Sequence, residues 1–273
     1  MEEAYGDVLA SLLGEAGFDS FETDGQGLWA YVQTSLFDKA SVEETLQAFP
    51  FEGVKICWHA EDMPREDWNA AWEQQFEPIA VGDLVYIHDE RHKASPSARY
   101  DILIQPRMAF GSGSHATTRM MLRLLLEDGQ VSDKAVLDVG CGTGILGIGA
   151  LKGGCERLTA IDIDNDSVEN TIYNIALNGF AQQRVMEGDI SVLAADERYD
   201  IILANIHLNI HLALMGDYAR HLNPGGRLLL SGFYADEASP VLEAAAANGL
   251  ELEQQTADDS WCAMSFRKEN LLL

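Results

Sequence analysis

From about Thr117 onward the chain alternates short apolar runs with longer amphipathic ones. A helix through Leu126 is followed by the strand AVLDV, the helix ILGIGALKGG, the strand RLTAIDID and the helix SVENTIYNIALNG, with further strands and helices after them. Strands separated by helices need crossover connections, so this pattern specifies a doubly wound, mostly parallel α/β sheet. Ligands of such sheets sit beyond the carboxyl ends of the strands. The stretch VLDVGCGTG, residues 136–144, falls at one of those ends. Gly140, Gly142 and Gly144 bare the backbone where the chain turns from strand to helix, and a ligand can approach backbone closely only where side chains are missing. The spacing is G-x-G-x-G, with Asp138 two residues ahead, rather than the G-x-G-x-x-G of dinucleotide sites. A nucleoside without a pyrophosphate is the ligand this favours. Asp162, closing the next strand in AIDID, lies at the distance of roughly twenty residues expected of an acid that accepts ribose hydroxyls. Asp189, in EGD after a further strand, is placed to meet an adenine amino group. A lone glycine triplet is a tight turn and a lone aspartate a helix cap. Strand, triplet, helix, strand and terminal acid in this order outweigh those plainer readings.

The first sixty residues follow a different pattern. Ala4, Val8, Leu9, Leu12, Leu13 and Ala16 recur at helical spacing, and FDSFE and LWAYVQ flank DGQG as a hairpin would. Ser41 to Glu44 has capping-box spacing before a short helix ending near Phe49, and VKICWHA reads as a strand. One more strand in front would complete the β-α-β-β-α-β order of a ferredoxin-like α+β domain. MPREDWNAAWEQQF then sets Trp68, Trp72 and Phe76 on one helical face, a stripe for packing between domains. VGDLVYI and YDILIQP read as strands. The expected division is a small domain over 1–60, a linker helix over 61–80 and a catalytic domain over 81–273.

No apolar run is long enough to span a bilayer, and MEEAYGDV lacks a signal peptide's basic start and apolar centre, so a cytoplasmic protein is expected. Cys57, Cys141, Cys155 and Cys262 are scattered without a C-x-x-C pair, as reduced thiols are. A net charge of −26 argues against nucleic-acid binding, which relies on cations displacing counterions from phosphates. It suits a basic partner, or simply a soluble surface.

VLDVGCGTG resembles the first motif of class I S-adenosylmethionine-dependent methyltransferases. AFGSGSHATT, residues 109–118, is similar to the A-F-G-T-G-x-H-x-T-T signature of the PrmA family, which methylates ribosomal protein L11. DWNAAWEQQFEPIAVGD, LANI, LNPGGRLLLSGF and WCAMSFRK extend the likeness over nearly the whole chain. The resemblance implies a seven-stranded Rossmann-like methyltransferase domain behind a small ferredoxin-like domain that finds the substrate. It implies S-adenosyl-L-methionine as cofactor and ribosomal protein L11 as partner, methylated on amino groups: lysine side chains, with the α-amine left open as a second acceptor. Carried over by position, cofactor contacts fall on Thr118, Gly140, Asp162 and Asn205, with Gly142 in the loop and Asp189 on the adenine side. Ser112 replaces the family's threonine, and the family's first strand is missing before the opening helix. Either the start lies upstream or the small domain lacks that strand.

Methyl transfer from a sulfonium needs alignment rather than a metal or a covalent enzyme intermediate. Asn205, ending YDIILAN, can accept a hydrogen bond from an incoming amine and aim its lone pair, and it is the catalytic candidate. The sequence NIHL after the strand is similar to the family's N-I-x-x and unlike the proline-rich motif of DNA, RNA and glutamine enzymes. His115 either shapes the pocket or is structural. His207 and His211 are four apart, but no H-E-x-x-H glutamate or third ligand accompanies them, so no metal site is expected. Two alternatives stand: a methyltransferase of the same fold acting on another protein or small amine, and a nucleoside-binding module without turnover.

Overall fold

The computed structural model describes residues 3–18, 20–23, 27–32, 34, 36–51, 54, 56–61, 76–105, 111 and 113–270. The chain divides into two compact units, Met1–Glu66 and Asp67–Leu273. Most of the expected linker helix, with Trp68 and Trp72, lies outside the described residues. Phe76 is buried in the core of the second unit.

The first unit contains α1 (Glu3–Glu15), β1 (Ser20–Thr23), β2 (Leu28–Tyr31) and α2 (Lys39–Gln47). The expected hairpin forms, with Ser20 opposite Tyr31 and Thr23 opposite Leu28. Leu9, Leu13 and Val42 are buried. α2 begins earlier than the Ser41 capping box predicts. Asp38 is its N-cap, extended in backbone and accepting the Ala40 N–H at 3.0 Å. The strand expected at VKICWHA does not form among the described residues, and Cys57, Trp58, His59 and Ala60 are exposed there. A strand needs a neighbour for its N–H and C=O groups, and among the described residues no ladder includes this segment. Where a ferredoxin-like domain needs four strands, the described residues form one hairpin and two helices.

The first elements among the described residues of the second unit form a three-stranded sheet of β3 (Ile79–Val81), β4 (Val85–His88) and β5 (Tyr100–Leu103), antiparallel then parallel. α3 (Ala116–Leu126), β6 (Ala135–Val139), α4 (Ile145–Lys152), β7 (Arg157–Asp162), α5 (Asn165–Leu177) and β8 (Arg184–Glu187) follow. β9 (Tyr199–Asn205), α6 (Leu208–His221), β10 (Leu222–Tyr234), α7 (Ala238–Ala247), β11 (Leu250–Asp258) and β12 (Trp261–Lys268) complete it. The seven-stranded sheet has the order β11-β12-β10-β9-β6-β7-β8. β8, β7, β6, β9 and β10 are parallel, and β12 runs antiparallel to both its neighbours.

The expected parallel sheet is present because its inner strands are apolar on both faces. AVLDV is buried throughout. Side chains alternate between two cores. Val136, Ile201 and Leu203 pack with Leu122, Leu125 and Ile148 of α3 and α4, while Leu137, Ile202 and Ala204 pack with Met215, Tyr218 and Val241 of α6 and α7. β6 pairs with β7 on one side and β9 on the other, so the chain winds outward in both directions from it. The crevice beyond the carboxyl ends of β6 and β9 is therefore the switch point of the sheet, where a doubly wound fold takes its ligand.

Candidate active site

The glycine loop leaves β6 at this switch point. Gly140, Gly142 and Gly144 all have positive φ, at 70°, 54° and 80°. A Cβ at Gly140 would collide with the Ile206 side chain, so the loop lies directly against the residue that follows β9. The loop is also tied to β7. Gly140 and Cys141 N–H donate to Ile161 O, and Gly142 N–H donates to Asp162 Oδ2 at 2.9 Å. The Asp162 Oδ1 accepts the Asp164 N–H at 3.1 Å, which holds the half-buried carboxylate at the strand end.

Asp138 lies beneath the loop and takes the Gly147 N–H at 2.9 Å through Oδ2, while its buried Oδ1 has no partner among the described residues. Burial pushes its carboxyl up to about 7; Asp162's charge adds to this and the Gly147 N–H opposes it. The folded value lies above the ordinary 3.8, so between pH 4 and 7 the native state keeps a proton that the unfolded chain has released. Stability then falls as pH rises through that window, by at most about 1.4 kcal/mol per unit. We expect Asp138→Asn to flatten this dependence in urea unfolding of the unliganded protein between about pH 5.5 and 7.5. Parallel profiles for parent and variant would remove Asp138 as the cause.

α5 supports the loop through a feature that sequence reasoning missed. Asn170, Asn174 and Asn178 share one helix face. Asn174 Nδ2 donates to Thr143 O at 2.9 Å and its Oδ1 accepts the Gln105 N–H at 2.9 Å. Asn178 pairs with both backbone groups of Leu103, and the Thr171 hydroxyl donates to Gly142 O at 2.9 Å. Asparagines at i, i+4 and i+8 were the available signal, because such residues weaken a helix unless their side chains have work elsewhere. The helix itself starts at Asn165, capped by Asp164, ahead of the SVENT start expected from the sequence.

Of the candidate residues, Thr118 and Asn205 are brought together, with Asn205 Nδ2 3.5 Å from Thr118 Oγ1. The Asn205 Oδ1 is buried and has no partner among the described residues. Asp189 is exposed and caps the short 3₁₀ turn Ile190–Val192, accepting the Ser191 N–H at 2.9 Å; the Ser191 hydroxyl first and this N–H second lower its pKa. Ile163, next to Asp162, is 75% exposed, an apolar face that sequence reasoning passed over.

Much of AFGSGSHATT lies outside the described residues. Its Gly111 accepts the Thr143 hydroxyl at 2.6 Å, joining this segment to the glycine loop. His115 caps α3, its Nδ1 2.8 Å from Thr117 Oγ1. Its ring meets Trp261 edge-on at 4.6 Å, and Tyr234 lies against Trp261 at 4.3 Å. A tight turn with Asp259 and Ser260 at positive φ reverses β11 into β12 and places Trp261 opposite Tyr234, at the carboxyl end of β10. Arg119 braces this wall by donating to Ser114 O and pairing with Asp258 at 3.1 Å. His207 is exposed and His211 fully buried. No cluster of metal-ligating side chains occurs among the described residues, and none of their helices is long and apolar enough to cross a membrane.

A family model described as ribosomal protein L11 methyltransferase (PrmA) matches residues 14–269. The chain is 42% identical over 265 residues to a ribosomal protein L11 methyltransferase of Bacteroides fragilis, covering 97% of this chain and 94% of the relative. It is 39% identical over 271 residues to that of Porphyromonas gingivalis, covering 99% and 93%. The crystal structure of the ribosomal protein L11 methylase from Lactobacillus delbrueckii subsp. bulgaricus superposes with a TM-score of 0.65 at 28% identity, over 71% of this chain and 100% of that one. A methyltransferase from Pyrococcus furiosus, 19% identical with a TM-score of 0.51 over 62% of this chain and 89% of its own, shares the fold.

Proposed function

This chain belongs to the ribosomal protein L11 methyltransferase (PrmA) family, and from that premise we propose how its residues divide the work of methylating amino groups of ribosomal protein L11. S-adenosyl-L-methionine is the cofactor, and when bound it supplies a methyl group on an already activated sulfonium. The residues at the switch point fit it. The bare loop Gly140–Gly144 leaves room for a close-lying ligand, and the Asp162 carboxylate at the end of β7 can accept ribose hydroxyls. Exposed Ile163 offers an apolar face to the base. Asp189 has one oxygen engaged by Ser191 and keeps acceptor capacity for an adenine amino group.

The buried Oδ1 of Asn205, without a partner among the described residues, is the observation that carries the catalytic reading. A buried carbonyl oxygen without a donor is costly, and such atoms in native folds call for an explanation. Once the lysine ammonium, with an ordinary pKa of about 10.4, has released a proton to water, an N–H of the neutral amine supplies the missing donor and leaves the nitrogen lone pair to be aimed at the methyl carbon. Thr118 sets the amide's orientation by its contact with Nδ2. Trp261, Tyr234 and His115 form an aromatic wall at the same end of the sheet, suited to the aliphatic stem and cationic head of a lysine. Partial exclusion of water by this wall assists a reaction that disperses charge.

The Met1–Glu66 unit is proposed to recognise the protein substrate, because a methyl-donor pocket treats all acceptors alike. An apolar cleft of about 1110 Å³ within it, lined by Leu9, Leu13, Trp29, Val42 and Trp58 among others, supports that role. The net charge of −26 favours a basic partner. The proposed setting is the cytoplasm. Full-length protein incubated with methyl-labelled cofactor and purified ribosomal proteins is expected to place label on L11 lysines and its α-amine. Label confined to another protein would overturn the acceptor assignment, and cofactor binding without transfer would favour a binding module.

A further inference from the structure

We propose that His211 is a positioning residue for methyl transfer, holding through the Ser231 carbonyl the turn that carries Asn205; this rests on the reading of Asn205 as the group that orients the acceptor. His211 lies in α6 and is 0% exposed. Its Nε2 is 2.9 Å from Ser231 O. A carbonyl can only accept, so Nε2 carries the hydrogen. The same oxygen accepts the Ile206 N–H at 3.1 Å. Ser231 stands directly opposite Asn205 across β9 and β10, so one carbonyl gathers the residue after Asn205 and a side chain of the following helix.

The rest of the turn is closed by shape. The pairing of β10 with β12 slips between Ser231 and Phe233. A Cβ on the intervening Gly232 would collide with Ile206 O, and one on Gly140 with the Ile206 side chain. Ser231 is itself fixed, its hydroxyl donating to Cys262 O at 2.7 Å. Ile206 is therefore confined by glycines on two sides and held by the His211-bound carbonyl.

A packing role alone would not call for a histidine. The ring meets Phe233 edge-on at 5.8 Å and Tyr218 at 6.3 Å, surroundings in which an aliphatic side chain avoids the desolvation of an imidazole. Burial lowers the His211 pKa to about 4 against the opposing backbone hydrogen bonds of Ser231 and Ile206, so the ring is neutral; its Nε2 hydrogen meets Ser231 O, and its buried Nδ1 has no partner among the described residues. The titratable neighbours reinforce this. The charge of His207, the N-cap residue of α6, lowers the value further, and the buried Tyr218 phenol is shifted upward and stays protonated. What the imidazole adds is a donor on the turn, and loss of alignment near a reacting centre costs rate before it costs cofactor affinity.

The test compares His211→Gln with His211→Met, two side chains of similar length that differ in the donor, in full-length protein with S-adenosylmethionine and purified L11. His211→Met is expected to lower kcat about tenfold, the effect of one lost hydrogen bond expressed in the transition state, with cofactor affinity by calorimetry unchanged within about twofold. His211→Gln is expected to restore most of the loss. Equal kcat for the two variants overturns the proposal, as does a fall in cofactor affinity that matches the fall in kcat. Asn205→Ala is assayed alongside. If it is inactive while His211→Met is normal, the inference about His211 fails and the reading of Asn205 stands; full turnover by Asn205→Ala removes both. Nitrogen-15 NMR of the parent gives a readout that needs no variant. A neutral Nε2–H tautomer at pH 7 supports the proposal, and an Nδ1–H tautomer, or titration near the ordinary 6.5, overturns it.

Discussion

Replacing Asn205 with alanine is expected to slow methyl transfer by about a hundredfold while leaving S-adenosylmethionine affinity within about threefold of the parent. The amide makes one long contact to Thr118 and leaves its buried oxygen without a donor among the described residues, so little of the fold depends on it. An unaligned amine, by contrast, samples many orientations that do not lead to in-line attack. Asp162→Ala should show the converse. Loss of a charged acceptor for two ribose hydroxyls weakens cofactor binding by about 1.5–3 kcal/mol. Calorimetry for binding and single-turnover assays for transfer separate the two effects. Full turnover by Asn205→Ala would make the residue a structural strand end, and failure to bind cofactor would move it to the cofactor site.

Gly232→Ala is expected to destabilise the protein by about 3 kcal/mol, the sum of a side chain at positive φ and a forced contact with backbone. At φ 101° the new Cβ would meet Ile206 O, C and N, none of which can swing aside as a side-chain end can. Gly179→Ala is the control. Its φ is 79°, nothing lies within 4 Å of its Cβ position, and it ends α5 in solvent. That variant carries the backbone penalty alone, about 1 kcal/mol. Urea unfolding of both variants measures the difference. Equal losses would show that the collision at Ile206 relaxes, and that the turn after β9 is less confined than its packing indicates.

The architecture of the second unit was legible because its signals are local. Runs such as AVLDV and YDIILAN are apolar at consecutive positions, which only a strand buried on both faces can use, and G-x-G-x-G after such a run marks the place where backbone must meet a ligand. Asp162 could be placed for the same reason, since one helix of ordinary length separates it from the loop. VKICWHA was misread because its β-branched and aromatic residues describe what a strand prefers and not whether a partner edge exists to pair with it. Asp38 and Asp164 start their helices ahead of the residues chosen from the sequence, because several polar residues compete at each start and the backbone there decides which one caps.

What only the tertiary structure decided concerns contacts between residues far apart in the chain. Asn174 reaches a loop 31 residues away, and Asn205 meets Thr118 across 87. His207 and His211 look equivalent in the sequence, yet one is in solvent and the other is buried against the Ser231 carbonyl. Gly232 reads as an ordinary glycine until β9 is laid beside β10 and Ile206 occupies its missing side chain's space. Periodicity determines which face of an element is buried. The register between strands and the close packing of the interior determine which polar atom on that face finds a partner and which does not.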